Sequence, residues 1–239
     1  VKKAEGVAEY KANRTWTPEK EEMYKQVPEL MEMLSYTRYA TVSAVGYEAD
    51  DVIAHLAKKF AAGNHKVFII TPDNDLLQVV TDNISIWMPP KSKVKAWFKD
   101  EEYCLDHFGV YPEQLLYYRA LVGDTSDNLR GCVLGKHAKD LGFYFRDRLE
   151  RDAQTSAISA AMMKAPDNWF RNNWFEVFER NMEIMRLHDP QEDELKIEKG
   201  KKSPDALRKL FYELEMKSLV SYVGKFTGVE EPGLNAAEA

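Results

Sequence analysis

Four consecutive apolar residues, Val67-Phe68-Ile69-Ile70, run from a Gly63-Asn64 turn signal into Thr71-Pro72. A continuous apolar stretch of strand length, rather than an alternating one, predicts a strand buried on both faces of a parallel sheet. The pattern changes period on either side. Residues 48–60 place Val52, Ile53, Leu56, Ala57 and Phe60 on one helix face, and residues 75–80 begin another helix. Residues 39–43 (YATVS) and 84–88 (ISIWM) have the β-branched content of short strands. Helix and strand alternate, which predicts an α/β layer architecture.

Elsewhere the signal is helical. The first 35 residues read as helix, with Met23, Val27, Leu30, Met31 and Leu34 at three- and four-residue spacings. Residues 113–122 and 169–187 follow suit, the latter with Phe170, Trp174, Phe178 and Met182 as a core stripe. Strand signal fades from residue 101, so the expected division is an α/β domain over 1–100 and a helical domain over 101–239. The last twelve residues, GVEEPGLNAAEA, read as a frayed tail.

The chain shows no apolar run near the ~18 to 20 residues of a membrane helix and no apolar signal core at its start. Cys104 and Cys132 give neither a disulfide framework nor zinc spacing, which suits a reducing cytoplasm. A net charge of −6 argues at first against a nucleic-acid binder.

Three acidic clusters carry the chemistry. Glu48-Ala49-Asp50-Asp51 opens a helix, where acids also simply favour the helix dipole. Asp73-Asn74-Asp75 follows the apolar strand, where α/β sheets bind ligands, although a cap and turn explain it equally. Gly123-Asp124-Thr125-Ser126-Asp127-Asn128 is a polar loop after an apolar helix, and alone an ordinary turn. If the three converge, seven carboxylates share one region: Glu48, Asp50, Asp51, Asp73, Asp75, Asp124 and Asp127. Two like charges ~4 Å apart repel by ~4 kcal/mol at an effective dielectric near 20, so such a group requires cations. All-oxygen ligands select magnesium or manganese over zinc, and two such ions suit in-line hydrolysis of a phosphodiester. Setting seven neutralised carboxylates against the charge of −6 leaves −6 + 7 = +1, so the remaining surface is not acidic.

Basic residues complete the pattern. Lys11 and Arg14, three apart, are expected on one helix face able to grip a phosphate, and Tyr10 beside them to stack on a base. A solvated helix face is the plainer reading of such a pair. Residues 131–137 (GCVLGKH) fall one residue short of a phosphate-loop pattern and lack its Ser/Thr. The chain has no nucleophile elbow of the G-x-S-x-G kind.

Taken together and in order, Tyr10-Lys11-Ala12-Asn13-Arg14, Gly46-Tyr47-Glu48-Ala49-Asp50-Asp51, Thr71-Pro72-Asp73-Asn74-Asp75 and Ala120-Leu121-Val122-Gly123-Asp124-Thr125-Ser126-Asp127-Asn128 resemble the motifs of the 5′-nuclease family. That family includes the flap endonucleases and the 5′–3′ exonuclease domain of bacterial DNA polymerase I, and with no polymerase portion this chain resembles its stand-alone, phage-type members. The resemblance implies a PIN-like nuclease domain with a helical arch based near residues 8–35, then a helix-three-turn-helix module that holds duplex DNA. It implies that the seven carboxylates hold two or more divalent ions directly or through water. Lys11 and Arg14 would steer the scissile phosphate at the base of the arch, and Gly135 and Lys136 would meet the duplex backbone. Its expected substrates are 5′ flaps, single-strand/duplex junctions and RNA-primed ends, with no membrane partner, in the cytoplasm of a bacterium or of a phage's host.

Two departures accompany the resemblance. Family members carry a further strand, ending in a metal-binding Asp, ahead of the Tyr-Lys-x-x-Arg motif; here nine residues precede Tyr10. One or two ligands and a central strand are therefore expected to be missing, and the chain alone to be inactive or impaired. The loop over residues 130–136 is shorter than the family's and lacks a glycine, in a region where the family often places potassium. The alternatives to a metal-dependent 5′ nuclease are a non-catalytic nucleic-acid-binding module, an inactive fragment of such a nuclease, and a PIN-like ribonuclease.

Overall fold

The computed structural model describes residues 10–91, 94–151, 153 and 155–229. In chain order the first elements are α1 Pro18–Lys25, α2 Val27–Tyr36, β1 Ala40–Ala44, α3 Ala49–Ala62, β2 Val67–Ile69, β3 Ile84–Met88 and β4 Trp97–Lys99. They are followed by α4 Glu101–Phe108, α5 Leu115–Val122, β5 Gly123–Asp124, β6 Leu129–Arg130, α6 Ala138–Arg148, α7 Thr155–Met162 and α8 Trp174–Met185. Strand β7 Leu195–Lys199 and helices α9 Pro204–Glu213 and α10 Val223–Thr227 complete the chain.

The backbone divides into two compact units, each assembled from two stretches of sequence: residues 1–14 with 46–190, and residues 15–45 with 191–239. The boundary expected near residue 100 falls within the first unit. The tail expected to fray lies, from residue 230 on, outside the described residues.

In the first unit, β2, β3 and β4 form a sheet in that order, β2 parallel to β3 and β4 antiparallel to it. Among the described residues the parallel contribution is this single pair, less than the parallel-rich sheet expected. The apolar run is not buried on both faces either: Phe68 is 60% and Ile70 66% exposed. The reason is position, since β2 lies at the edge of its sheet and packs inward through Ile69. Leu76, Leu77, Ile86, Leu115, Leu121 and Phe178 belong to one core under that sheet.

Helix α3 matches the sequence reading closely. Its first turn is closed reciprocally by Glu48 and Asp51, each side chain accepting from the other's end of the turn. The segment after β2 is a 3₁₀ turn, Asp75–Val79, rather than an α-helix. The long helix expected over 169–187 shortens to α8, because a 3₁₀ turn, Asp167–Trp169, and a left-handed Asn173 interrupt the backbone before it. Phe178 and Met182 of the aromatic stripe are buried, whereas Phe170 and Trp174 pack at the margin of the core.

In the second unit, β1 pairs antiparallel with β7, Val42 opposite Ile197. Gly200 passes so close to Thr37 that a Cβ there would meet its carbonyl oxygen at 2.1 Å. Leu207, Phe211 and Val223 form a separate small core, with Met33 and Tyr36 of α2 against it. Among the described residues no helix is long and apolar enough to cross a membrane.

Candidate metal centre

The first acidic arm grows out of the end of β2. Thr71 Oγ1 accepts from the Asp73 N–H at 3.1 Å, and Asp73 Oδ1 accepts from the Asp75 N–H at 2.9 Å. Short oxygen-bearing side chains bond the backbone two residues on, so this stretch coils tightly without help from a helix. The Lys99 ammonium, at the end of β4, donates to Pro72 O at 3.0 Å and Asn74 Oδ1 at 2.7 Å. Burial lowers the pKa of Lys99, with Asp73 opposing that shift.

Asp124 and Asp127 come from the hairpin formed by β5 and β6. A Cβ on Gly123 would lie 2.2 Å from Gly131 N, and one on Gly131 would lie 1.9 Å from Val122 O. Gly123 pairs with Arg130, and the backbone at Gly131 can pass this close to Val122 and Gly123 because neither glycine carries a Cβ. Gly123 also takes φ +85°, and Asn128 closes the turn at φ 58°. Asp124 Oδ1 accepts from Ser126 N–H at 2.8 Å and Ser126 Oγ at 2.6 Å. Buried Asn181 of α8 donates to Ala120 O at 2.9 Å and Arg130 O at 3.0 Å, tying both flanks of the hairpin.

These two arms meet. Carboxylate oxygens of Asp75, Asp124 and Asp127 lie within 4.8 Å of one another. Asp73, Asn74, Arg119, Asp124 and Ser126 line a cleft of about 370 Å³. Burial pushes the Asp75 carboxyl up to about 6; Arg119 opposes the shift, and Asp73, Asp124 and Asp127 add to it by repulsion. For Asp124 burial acts in the same upward direction, but the Ser126 donors and Arg119 outweigh it and hold this carboxyl below its ordinary range.

Arg119 Nη2 approaches Asp75 Oδ1 at 3.0 Å and also bonds Asp124 Oδ2. The contact to Asp75 has the distance of an ion pair without the direction of a hydrogen bond, so buried Asp75 Oδ1 accepts none. A buried carboxylate oxygen that accepts no hydrogen bond, beside two more carboxylates with no His or Cys ligand among them, fits a hard divalent cation. Cys104 and Cys132 cannot compete as nucleophiles, because burial pushes both thiols up to about 12.

The basic residues arrive differently from expectation. Residues 10–13 form turns, not a helix, and Lys11 sits at φ 58°, so Lys11 and Arg14 do not share a helix face. The segment is instead fastened to the acidic loop, Lys11 N–H donating to Asp127 O at 2.9 Å and Asn13 Nδ2 to Thr125 O at 3.2 Å. Lys11 Nζ pairs with Glu48 Oε1 at 2.6 Å and Arg14 Nη2 with Asp127 Oδ1 at 2.5 Å. The Tyr10 hydroxyl donates to Glu48 at 3.2 Å, and Lys11 Nζ lies 4.5 Å from the centre of its ring.

Of the seven carboxylates, Asp75, Asp124 and Asp127 form the compact group, and Asp73 lines the same cleft. Glu48 joins through Lys11 and Tyr10. Asp50 accepts from Asp51 N–H at 2.9 Å at the start of α3. Asp51 serves the fold: it is 1% exposed and accepts from Glu48 N–H at 3.0 Å and His188 N–H at 2.8 Å. Gly135 and Lys136 stand exposed in a 3₁₀ turn, Gly135–His137, ahead of α6. Arg119, Lys99 and Asn181 were not singled out from sequence. A signal existed for Arg119, the one charge in the apolar helix LLYYRALV.

Residues 2–109 match the family model of the 5′-3′ exonuclease N-terminal resolvase-like domain. A 5′-3′ exonuclease of Aquifex aeolicus is 32% identical over 233 residues, covering 91% of this chain and 72% of the relative. One from Buchnera aphidicola is 37% identical over 123 residues, 52% of this chain and 41% of the relative. Among solved structures, a bacteriophage T5 flap endonuclease in complex with DNA and metal ions superimposes with a TM-score of 0.60 at 23% identity. That match covers 91% of this chain and 80% of the other, and shows a shared flap-nuclease fold.

Proposed function

The chain belongs to the 5′-3′ exonuclease family, and from that premise we propose that it is a structure-selective 5′ nuclease whose Asp75, Asp124 and Asp127 hold divalent cations, magnesium or manganese. It acts on DNA at 5′ flaps, single-strand/duplex junctions and primed ends, in the cytoplasm. The observation that carries the reading is buried Asp75, whose Oδ1 accepts no hydrogen bond, with a carboxylate oxygen within 4.8 Å of those of Asp124 and Asp127. Bound there, divalent cations supply the Lewis acidity that activates a water and steadies the leaving oxygen.

The protein's own groups divide the remaining work. Asp73 and Glu48, at the rim, extend the acidic field that draws cations in. Lys11 and Arg14 exchange their carboxylate partners for the scissile phosphate and neutralise the charge that builds on it. Tyr10 orients Glu48 through its hydroxyl and can offer the open part of its ring to a base. Residues from 101 onward supply the helix-three-turn-helix module, in which Gly135 and Lys136 meet a duplex phosphate.

The test is cleavage of an end-labelled 5′-flap DNA with magnesium, with EDTA, and with the Asp124→Asn variant. Magnesium-dependent cutting that disappears in the variant is expected. Equal cutting by Asp124→Asn sinks the assignment, and preference for an RNA flap over a DNA flap replaces it with a ribonuclease.

A further inference from the structure

The acidic group is met by cations of the protein itself. Arg119 projects from α5, its side chain 13% exposed, and its Nη2 reaches both Asp75 Oδ1 and Asp124 Oδ2. These are two of the three residues whose carboxylates could hold an ion. A permanent structural bridge would engage a carboxylate through two parallel N–H bonds and satisfy its buried donors. Arg119 does neither: one nitrogen serves both acids, and Nε is buried without a hydrogen-bond partner. The guanidinium makes a hydrogen bond to Asp124 Oδ2 and meets Asp75 Oδ1 through charge without one.

We propose that Arg119 is an internal counter-ion of the acidic centre, holding Asp75 and Asp124 together until divalent cations bind and then competing with them. The inference rests on the metal-site reading above and deepens it, since it names a residue that sets affinity without being a ligand. Three carboxylates with the guanidinium groups of Arg119 and Arg14 carry −3 + 2 = −1; without Arg119 they carry −2. A cation of the same sign as Arg119 therefore meets weaker attraction while the guanidinium stays. By linkage, cations weaken the hold of Arg119 by the same factor. Arg119 is a positioning residue: it keeps the unloaded acids from repelling one another apart, and it lowers cation affinity so that ions exchange.

The experiment is Mn²⁺ binding to the full chain by calorimetry, with melting temperatures in EDTA and in saturating Mn²⁺. Arg119→Gln is expected to bind Mn²⁺ about tenfold more tightly than the wild type, within the usual range of such couplings. In EDTA it should melt below the wild type, with the gap closing in saturating Mn²⁺. Arg119→Lys keeps the charge and should bind within threefold of the wild type; should Arg119→Gln fail to fold, Arg119→Lys carries the test alone. Unchanged or weaker binding by Arg119→Gln overturns the proposal and marks Arg119 as a structural lock. A tenfold gain in Arg119→Lys overturns it too, since charge would then not be the cause. Wild-type binding no tighter than that of Asp124→Asn removes the metal centre itself, and this inference with it.

Discussion

Lys99 Nζ donates to Asn74 Oδ1 at 2.7 Å, fixing from another strand the residue that lies between Asp73 and Asp75. Lys99 is only 5% exposed, so its partners have little water to turn to when it is removed. Lys99→Met keeps the length of the side chain and deletes the donors. The expected loss is about 1–3 kcal/mol of stability, the usual penalty for orphaning a buried acceptor. Urea unfolding checks the cost, and a Mn²⁺ titration should show weaker binding as the Asp73–Asp75 turn loosens.

Asp75 gives the metal-free protein a pH dependence of known sign. Its carboxyl keeps a proton to about pH 6 in the folded chain but releases it near 3.8 when unfolded. Between those values the folded state binds more protons, so stability falls as pH rises from about 4 to 6 and stays lowered above. Two pKa units correspond to about 3 kcal/mol as an upper bound. In EDTA, Asp75→Asn should therefore be more stable than the wild type at pH 7.5 and equal to it near pH 4. Equal stability at both values would contradict the burial of an ionised Asp75.

Two glycines of one loop should behave in opposite ways. Gly131→Ala drives a methyl into Val122 O, so the hairpin carrying Asp124 must shift, at a cost of about 3 kcal/mol or more. A Cβ on Gly135 meets nothing within 4 Å, and the Gly135→Ala change should stay within about 0.5 kcal/mol. Thermal melts separate the pair. Any loss of flap affinity in Gly135→Ala then reports contact with DNA rather than damage to the fold.

Lys11 and Asp51 separate activity from stability. The Lys11–Glu48 pair is partly solvated, so Lys11→Ala should cost under about 1 kcal/mol of stability while lowering kcat roughly 10²-fold. Asp51→Asn retains the shape but weakens two backbone bonds to a buried carboxylate, and should cost about 1–3 kcal/mol. Single-turnover cleavage beside chemical denaturation tells the two apart; a large stability loss in Lys11→Ala would make that residue structural.

Local chemistry was legible where it is local. Helix α3 and strands β1 and β3 stand close to where periodicity and β-branching put them, because amphipathic faces and strand runs are short-range signals. Sequence makes the convergence of three acidic clusters a condition; the compact group joins Asp75 of the second with Asp124 and Asp127 of the third, whose hairpin is held by its two glycines and Asn181. Sequence misplaced Lys11 and Arg14 on a helix, since Lys11 spends its N–H on Asp127 O across the fold and adopts a left-handed backbone that no spacing rule anticipates. It overstated the burial of Phe68 and Ile70 because an apolar run does not say whether its strand is central or at an edge. Lys99 was invisible for a similar reason: a lysine in a polar stretch reads as solvent-facing until tertiary packing closes over it.

The antiparallel pairing of Val42 with Ile197 has a consequence for synthesis. As the chain leaves the ribosome, residues 15–45 emerge before residues 46–190, yet their strand partner and the small core around Leu207 and Phe211 follow only after them. The second unit therefore waits, open-ended, while the whole of residues 46–190 is translated and can fold ahead of it. During that interval the apolar residues Met33 and Tyr36 lack their later covering. A nascent chain stalled before residue 191 would thus offer a chaperone a binding segment upstream of the folded residues 46–190 rather than at its growing end.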